Sequence, residues 1–142
     1  MDNQIVELSI DKEGNWYSSG VLMFRLEIVR LFSEHVSPLS KGGYEVLWDG
    51  QVYELKVEDV PFVIESIIAQ GDNITVQLTD SRIVDFRPDA LFIVNDIAYT
   101  SLFFHMDTRF SRKAQWQLNT FLSEENGEAI LRLPTKNIPI KQ

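Results

Sequence analysis

The chain has 142 residues, a formal net charge of −8 and 44% apolar residues, enough to bury a core in one compact domain or two closely packed subdomains. It contains no cysteine, which excludes disulfides, thiolate metal sites and a cysteine nucleophile. The acidic balance argues against nucleic acid as a partner, because a basic surface supplies most of that affinity.

In chain order, "ELSIDKEGNWYSS" (7–19) reads as two short strands joined by a longer loop. "FRLEIVRLFSEH" (24–35) places Leu26, Ile28, Val29, Leu31 and Phe32 in one apolar stripe, so a helix is expected there, with Pro38 barring its extension. "YEVLWDGQVYELK" (44–56) alternates around Asp49-Gly50, a strong two-residue hairpin signal. "IIAQGDNITVQL" (67–78) and "ALFIVNDIAYTSL" (90–102) are two more hairpins, around Gly71-Asp72 and Asn95-Asp96. A second helix is expected over 111–123, with Ser111 as N-cap and Gly127 beyond its end. The strand pattern of "AILRLPTKNIPIK" (129–141) closes the chain.

Many hairpins and few helices favour an α+β fold over alternating βαβ units. The order strand pair, helix, strand pair occurs twice. Tyr17-Ser18-Ser19 answers Tyr99-Thr100-Ser101. Leu26 answers Trp116 and Leu31 answers Phe121. Val46, Trp48, Tyr53 and Leu55 answer Leu131, Leu133, Ile138 and Ile140. The expected organisation is two similar motifs, 1–56 and 91–142, each one helix with antiparallel β-hairpins. A connecting hairpin at 57–90 lies between them, and all three form one compact unit.

The stretch "IDKEGNWYSSGVLMFRLEIVRLFSEHV", followed by Val57-Glu58-Asp59-Val60-Pro61-Phe62, resembles the bacterial family known as domain of unknown function 1285. The six-residue signature carries most of the likeness, with Val60 where the family has alanine. Glu13 stands where its opening has aspartate, ahead of Gly14 and Trp16. The likeness continues through "FSRKAQWQLNTFLSEENGEAILRLPTKNIPI". It implies a two-motif α+β fold and a role in signal transduction, without an established activity.

Three clusters are candidates for chemistry. Glu58 and Asp59 precede Pro61, which keeps Val60 extended and leaves the turn to the two acids. One reading has Asp59 binding backbone N–H groups to set the corner, and the other turns Glu58 toward a ligand. Arg109, Arg112 and Lys113 gather at the start of the second helix. There they either hold a phosphate or carboxylate together with free helix N–H groups, or pair with the acidic body. Arg25 is a further cation from the first helix. His105 and Asp107, two apart, share a face if they lie on a strand, as an acid/base pair or as an unremarkable surface pair.

Two potential ligands without a third do not make a metal site, and no cofactor motif is present. The first ten residues, MDNQIVELSI, place acids where a signal peptide needs Lys or Arg, and no apolar run is long enough for a membrane span. A cytoplasmic protein without a membrane partner is therefore expected. The leading expectation is a non-enzymatic binding or sensing module for a small anionic ligand or a protein partner, seated between the two motifs. The alternatives are a hydrolase-like enzyme using Glu58 or His105 as base, and an oligomeric adaptor pairing through exposed hairpin edges.

Overall fold

The computed structural model describes residues 7–142. The first six, which begin the first expected motif and form part of the acidic opening, lie outside the described residues. The chain divides between Pro61 and Phe62 into two compact units.

The first unit contains β1 (Leu8–Ile10), β2 (Trp16–Ser18), β3 (Val21–Leu22), α1 (Leu26–Ser33), β4 (Val36–Pro38), β5 (Tyr44–Trp48) and β6 (Gln51–Val57). Its sheet runs β3-β2-β1-β6-β5-β4. Two-residue turns make the β2–β3 and β5–β6 hairpins. Ser19 and Gly20, and Asp49 and Gly50, all have positive φ, the backbone that matches the twist of paired strands. The central pair, β1 with β6, is parallel, with Leu8 opposite Leu55. A hairpin cannot join parallel neighbours, so the chain crosses over through α1 and the β4–β5 hairpin. The helix turns Phe32 onto Trp16, Trp48 and Tyr53, with ring centroids 5.7–6.4 Å apart. Leu8, Ile10, Val46 and Leu55 are buried.

The second unit begins with β7 (Phe62–Gln70), β8 (Asn73–Leu78) and β9 (Ile83–Asp85). It continues through β10 (Leu91–Val94), β11 (Ile97–Thr100), β12 (Thr108–Phe110) and α2 (Arg112–Leu118). A 3-10 turn, Asn119–Phe121, then leads to β13 (Leu122–Glu125), β14 (Glu128–Arg132) and β15 (Asn137–Lys141). The sheet order is β13-β14-β15-β10-β11-β12-β7-β8-β9. Here too a parallel pair lies inside the sheet, with Leu91 of β10 opposite Ile140 of β15. Ile64, Val76, Leu78, Phe110, Ala114, Leu118, Leu131 and Ile138 belong to one buried cluster.

The fold is β-rich α+β with two short helices, and it corrects the sequence reading in three places. The sheets are mixed rather than antiparallel, because alternation reveals a strand but not the direction of its distant neighbour. Within the segment expected as a connecting hairpin, 57–90, β7 pairs in parallel with β12, so β7–β9 extend the second sheet. The second helix stops at Leu118, five residues short of the expected end. Asn126-Gly127 is instead a hairpin turn with both φ positive, and Leu122 pairs with the fully buried Leu131.

The helix registers differ as well. The buried positions are Val29 and Ser33 in α1 and Ala114 and Leu118 in α2. Matching Leu26 to Trp116 is therefore displaced by five residues from the match of the buried faces. A short helix with apolar residues on several sides gives little register information, and burial decides it.

Ser111 is the N-cap of α2. Its hydroxyl accepts the Ala114 N–H at 3.0 Å and donates to the Glu65 carbonyl at 2.9 Å, while its own N–H donates to the Ile64 carbonyl. These bonds hold the helix onto β7 where the β7–β8 register shifts between Ile64 and Ser66. Ser111→Ala is expected to lower stability by about 1–2 kcal/mol, read as a reduced urea midpoint with an unchanged slope.

Candidate functional site

The second unit has a concavity of about 520 Å³ beside α2. Arg112, Trp116 and Asn119 line it from one helical face, at spacings of four and three that stack side chains along a helix. Arg109 enters from β12. The buried Phe110 beside it also belongs to the lining. Asp96, on the β10–β11 turn, adds a carboxylate to the rim.

Gln115 fixes the helix against that turn. The Ala98 N–H donates to its Oε1 at 3.0 Å and its Nε2 donates to the Asp96 carbonyl at 2.7 Å. On the other side of α2, the Ile67 N–H donates to Gln117 Oε1 at 2.6 Å, beside the β7 irregularity. The two glutamines set the angle at which α2 presents Arg112 and Trp116. Trp116 is 76% exposed, an unusual position for so large an apolar surface.

The basic cluster is thus partly assembled. Arg109 and Arg112 share the concavity, whereas Lys113, next along the helix, is exposed and does not line it. Arg25 belongs to the first unit, where its Nε meets the Glu27 carboxylate at 3.0 Å. That bond, after the one to its own backbone N–H, holds Glu27 below the ordinary glutamate value. At the helix start Ser111 takes the Ala114 N–H, as the expected N-cap, and the Gln115 N–H makes the first helical bond to the Ser111 carbonyl.

His105 and Asp107 do not form a pair. Residues 101–106 are a loop rather than a strand, and Asp107 is fully buried. Its carboxylate accepts the N–H groups of Leu102 (2.8 Å), Phe103 (2.9 Å) and Phe104 (2.8 Å), and the Thr108 hydroxyl (2.8 Å). His105 is exposed and sets its ring edge-on to Phe92, 6.4 Å between centroids. Asp107 is therefore the loop's internal clamp. Strand spacing could not reveal this, because the partners are backbone groups of a turn.

At the Glu58-Asp59 corner, the Glu58 carboxylate accepts the Lys12 N–H while the Glu58 N–H donates to the Ile10 carbonyl. Asp59 is exposed. Glu58 thus ties the end of β6 to the β1–β2 loop. Asp11 organises that loop, accepting the N–H groups of Glu13 and Asn15 (each 2.9 Å), the Asn15 side chain and the Tyr17 hydroxyl. Partial burial alone would raise the Asp11 carboxyl, but these hydrogen bonds outweigh it and hold the group below its ordinary value. The same bond to Asp11 is the main cause that raises the Tyr17 hydroxyl.

Sequence reasoning also missed Asp80 and Arg82. Both Arg82 Nε and a terminal nitrogen reach the buried Asp80 carboxylate, at 3.0 and 2.8 Å. The guanidinium lies over Phe103 and Phe62, at 4.8 and 5.4 Å from the ring centroids. The signal available was the turn "TDSR", whose Asp two residues ahead of an Arg suits a side-chain-to-backbone turn; the Arg82 N–H indeed donates to Asp80 at 2.9 Å.

Among the described residues, no group of three His, Asp or Glu side chains is arranged to hold a metal ion, and no helix is long and apolar enough to cross a membrane.

No family model and no curated protein matches the sequence. Two crystal structures are similar. A DUF1285 family protein from Silicibacter pomeroyi DSS-3 superimposes with a TM-score of 0.76 at 19% identity, over 96% of this chain and 80% of that one. A DUF1285 family protein from Shewanella baltica OS155 gives a TM-score of 0.64 at 17% identity, over 76% of this chain and 86% of that one. At these identities the likeness is one of fold, and the fold is of the DUF1285 type.

Two substitutions test the clamps. Asp107→Asn puts an amide among backbone donors and is expected to cost at least about 2 kcal/mol, with loss of amide-exchange protection at Leu102, Phe103 and Phe104. For Asp11, the folded value lies below the unfolded one. Its contribution is therefore complete above the unfolded value and lost as pH falls through the folded one. Asp11→Asn should lower stability at pH 7 and narrow the gap to wild type below about pH 4, measured by urea unfolding at each pH.

Proposed function

We propose that this chain, with its DUF1285-type fold, is a non-enzymatic module that binds a small anionic ligand in the concavity beside α2. One observation carries the reading: Arg109 and Arg112 both line a single concavity of about 520 Å³ together with the exposed Trp116. Guanidinium groups bind carboxylate and phosphate oxygens through paired N–H donors. The Trp116 face favours a flat group beside the anion. Asp96 on the rim favours a ligand that also presents a hydrogen-bond donor. Holding a ligand requires no nucleophile, and of the groups expected for acid/base work Glu58 bonds backbone, while Asp107, the expected partner of His105, is held by its own loop. Sensing such a ligand inside the cell, as one step in signal transduction, is the physiological role we infer.

The two strand orders, β3-β2-β1-β6-β5-β4 and β12-β11-β10-β15-β14-β13, support reading the units as copies of one ancestral motif, with α1 and α2 at the same place in the chain order. Tyr17 and Tyr99 fall at equivalent ladder positions, as do Leu55 and Ile140. On this reading the ligand site is a specialisation of the second copy, since Arg109 stands where the first copy has Leu22.

The test is a melting curve at fixed ionic strength, with and without millimolar phosphate or benzoate. A ligand at a hundredfold its dissociation constant adds about 2.7 kcal/mol. The wild-type midpoint should rise, and Arg112→Ala should abolish the rise. Trp116→Ala should reduce it for benzoate more than for phosphate. Equal shifts in wild type and Arg112→Ala reject the site.

A further inference from the structure

The two sheets differ at one edge. In the second unit the outer edge of β12 is covered by β7, which pairs in parallel through Phe62, Val63 and Ile64 opposite Thr108, Arg109 and Phe110. The strand at the equivalent place in the first unit, β3, ends its sheet, with no neighbour beyond it among the described residues. The Met23 N–H donates to the Trp16 carbonyl, so Val21 and Met23 direct their backbone groups toward β2. Antiparallel alternation then leaves the N–H and C=O of Leu22 on the open edge, the position at which Arg109 meets β7. An open edge is a template for another strand.

Side chains at this edge are apolar and bare. Val21 is 69% exposed, Leu22 48%, Phe24 81% and Leu26 54%. Together they offer on the order of 400 Å² of apolar surface, within the range of the largest patch a monomer leaves open. A hollow of about 160 Å³ lies among Leu22, Met23, Phe24, Arg25 and Ile28, with the dimensions of an aromatic side chain. The neighbouring charges, Arg25 and Glu27, are of opposite sign and adjacent. A surface with charges of both signs suits a copy of itself better than a single-signed one, because across a two-fold axis lying between them each charge meets the other's opposite.

We propose that the β3 edge is a self-association surface, on which β3 of a second copy adds antiparallel across a two-fold axis and the two Phe24 side chains enter each other's hollow. The β7–β12 pair is the precedent within this chain for a strand at that position. Two such faces and the backbone between them approach the ~1,000 Å² of a specific interface. This surface lies in the first unit and is independent of the anion site.

The experiment is sedimentation equilibrium on the full chain from micromolar to millimolar concentration, with amide exchange followed at the same concentrations. Wild type is expected to dimerise, and the Leu22 amide to gain protection as concentration rises. Phe24→Glu and Leu22→Lys, both at exposed positions, should raise the dissociation constant at least about tenfold, with circular dichroism checking that they fold. Val52→Ala, at an apolar residue 65% exposed on β6, should leave it unchanged. A wild type that stays monomeric at millimolar concentration overturns the proposal. So does a dimer unaffected by both β3 substitutions, and so does a Leu22 amide whose exchange is independent of concentration.

Discussion

The buried carboxylate of Asp107 is the constraint on which the second unit turns. A charge in an apolar interior is costly unless it is fully hydrogen-bonded, and here three successive backbone N–H groups and a hydroxyl supply the bonds. The result is a tight loop between β11 and β12. The Asp107 carbonyl accepts the Phe62 N–H, so the residue that closes the loop also fixes where β7 joins the sheet. Arg109 follows two residues later, Ser111 four, and then α2. The direction of Arg109, the cap of α2 and the placement of Trp116 all follow from that loop.

Around this constraint the polar side chains of α2 act as spacers rather than as solvent-facing decoration. Gln115 and Gln117 accept the N–H groups of Ala98 and Ile67 on two different strands, and Ser111 bonds to Glu65. A helix of seven residues is too short to be stable by itself, and α2 is held by Ala114 and Leu118 in the core together with these bonds. That leaves Arg112 and Trp116 on a fixed surface facing solvent. A preformed arrangement of this kind loses little conformational freedom when a ligand arrives.

The sequence made the hairpins legible because each turn has its own chemistry. Asp49-Gly50 and Asn95-Asp96 need positive φ at both residues, and those residue types tolerate it. The Asn126-Gly127 turn carried the same signal, but a helix read through to Ser123 hid it. The parallel ladders were not legible, because a strand's alternation shows which face is buried and says nothing of which distant strand lies beside it. The basic cluster was legible as composition, and α2 divides it, since Arg112 and Lys113 are neighbours on a helix and point apart. Asp107 looked like a partner for His105 only so long as 105–107 was read as a strand. The Asp80–Arg82 pair was signalled by the turn "TDSR" and passed over, whereas the rings of Phe62 and Phe103 beneath Arg82 lie too far along the chain for sequence to join them.

The account rests on the claim that Arg109, Arg112 and Trp116 form one binding surface. Nuclear magnetic resonance of the ¹⁵N-labelled protein, observing the Trp116 indole N–H and the Arg109 and Arg112 Nε–H signals during titration with benzoate, tests it most directly. The account predicts that the three signals shift together, with one common dissociation constant, while the indole signals of Trp16 and Trp48 stay in place. Shifts spread evenly over the exposed arginines and lysines, with Trp116 unmoved, would contradict it.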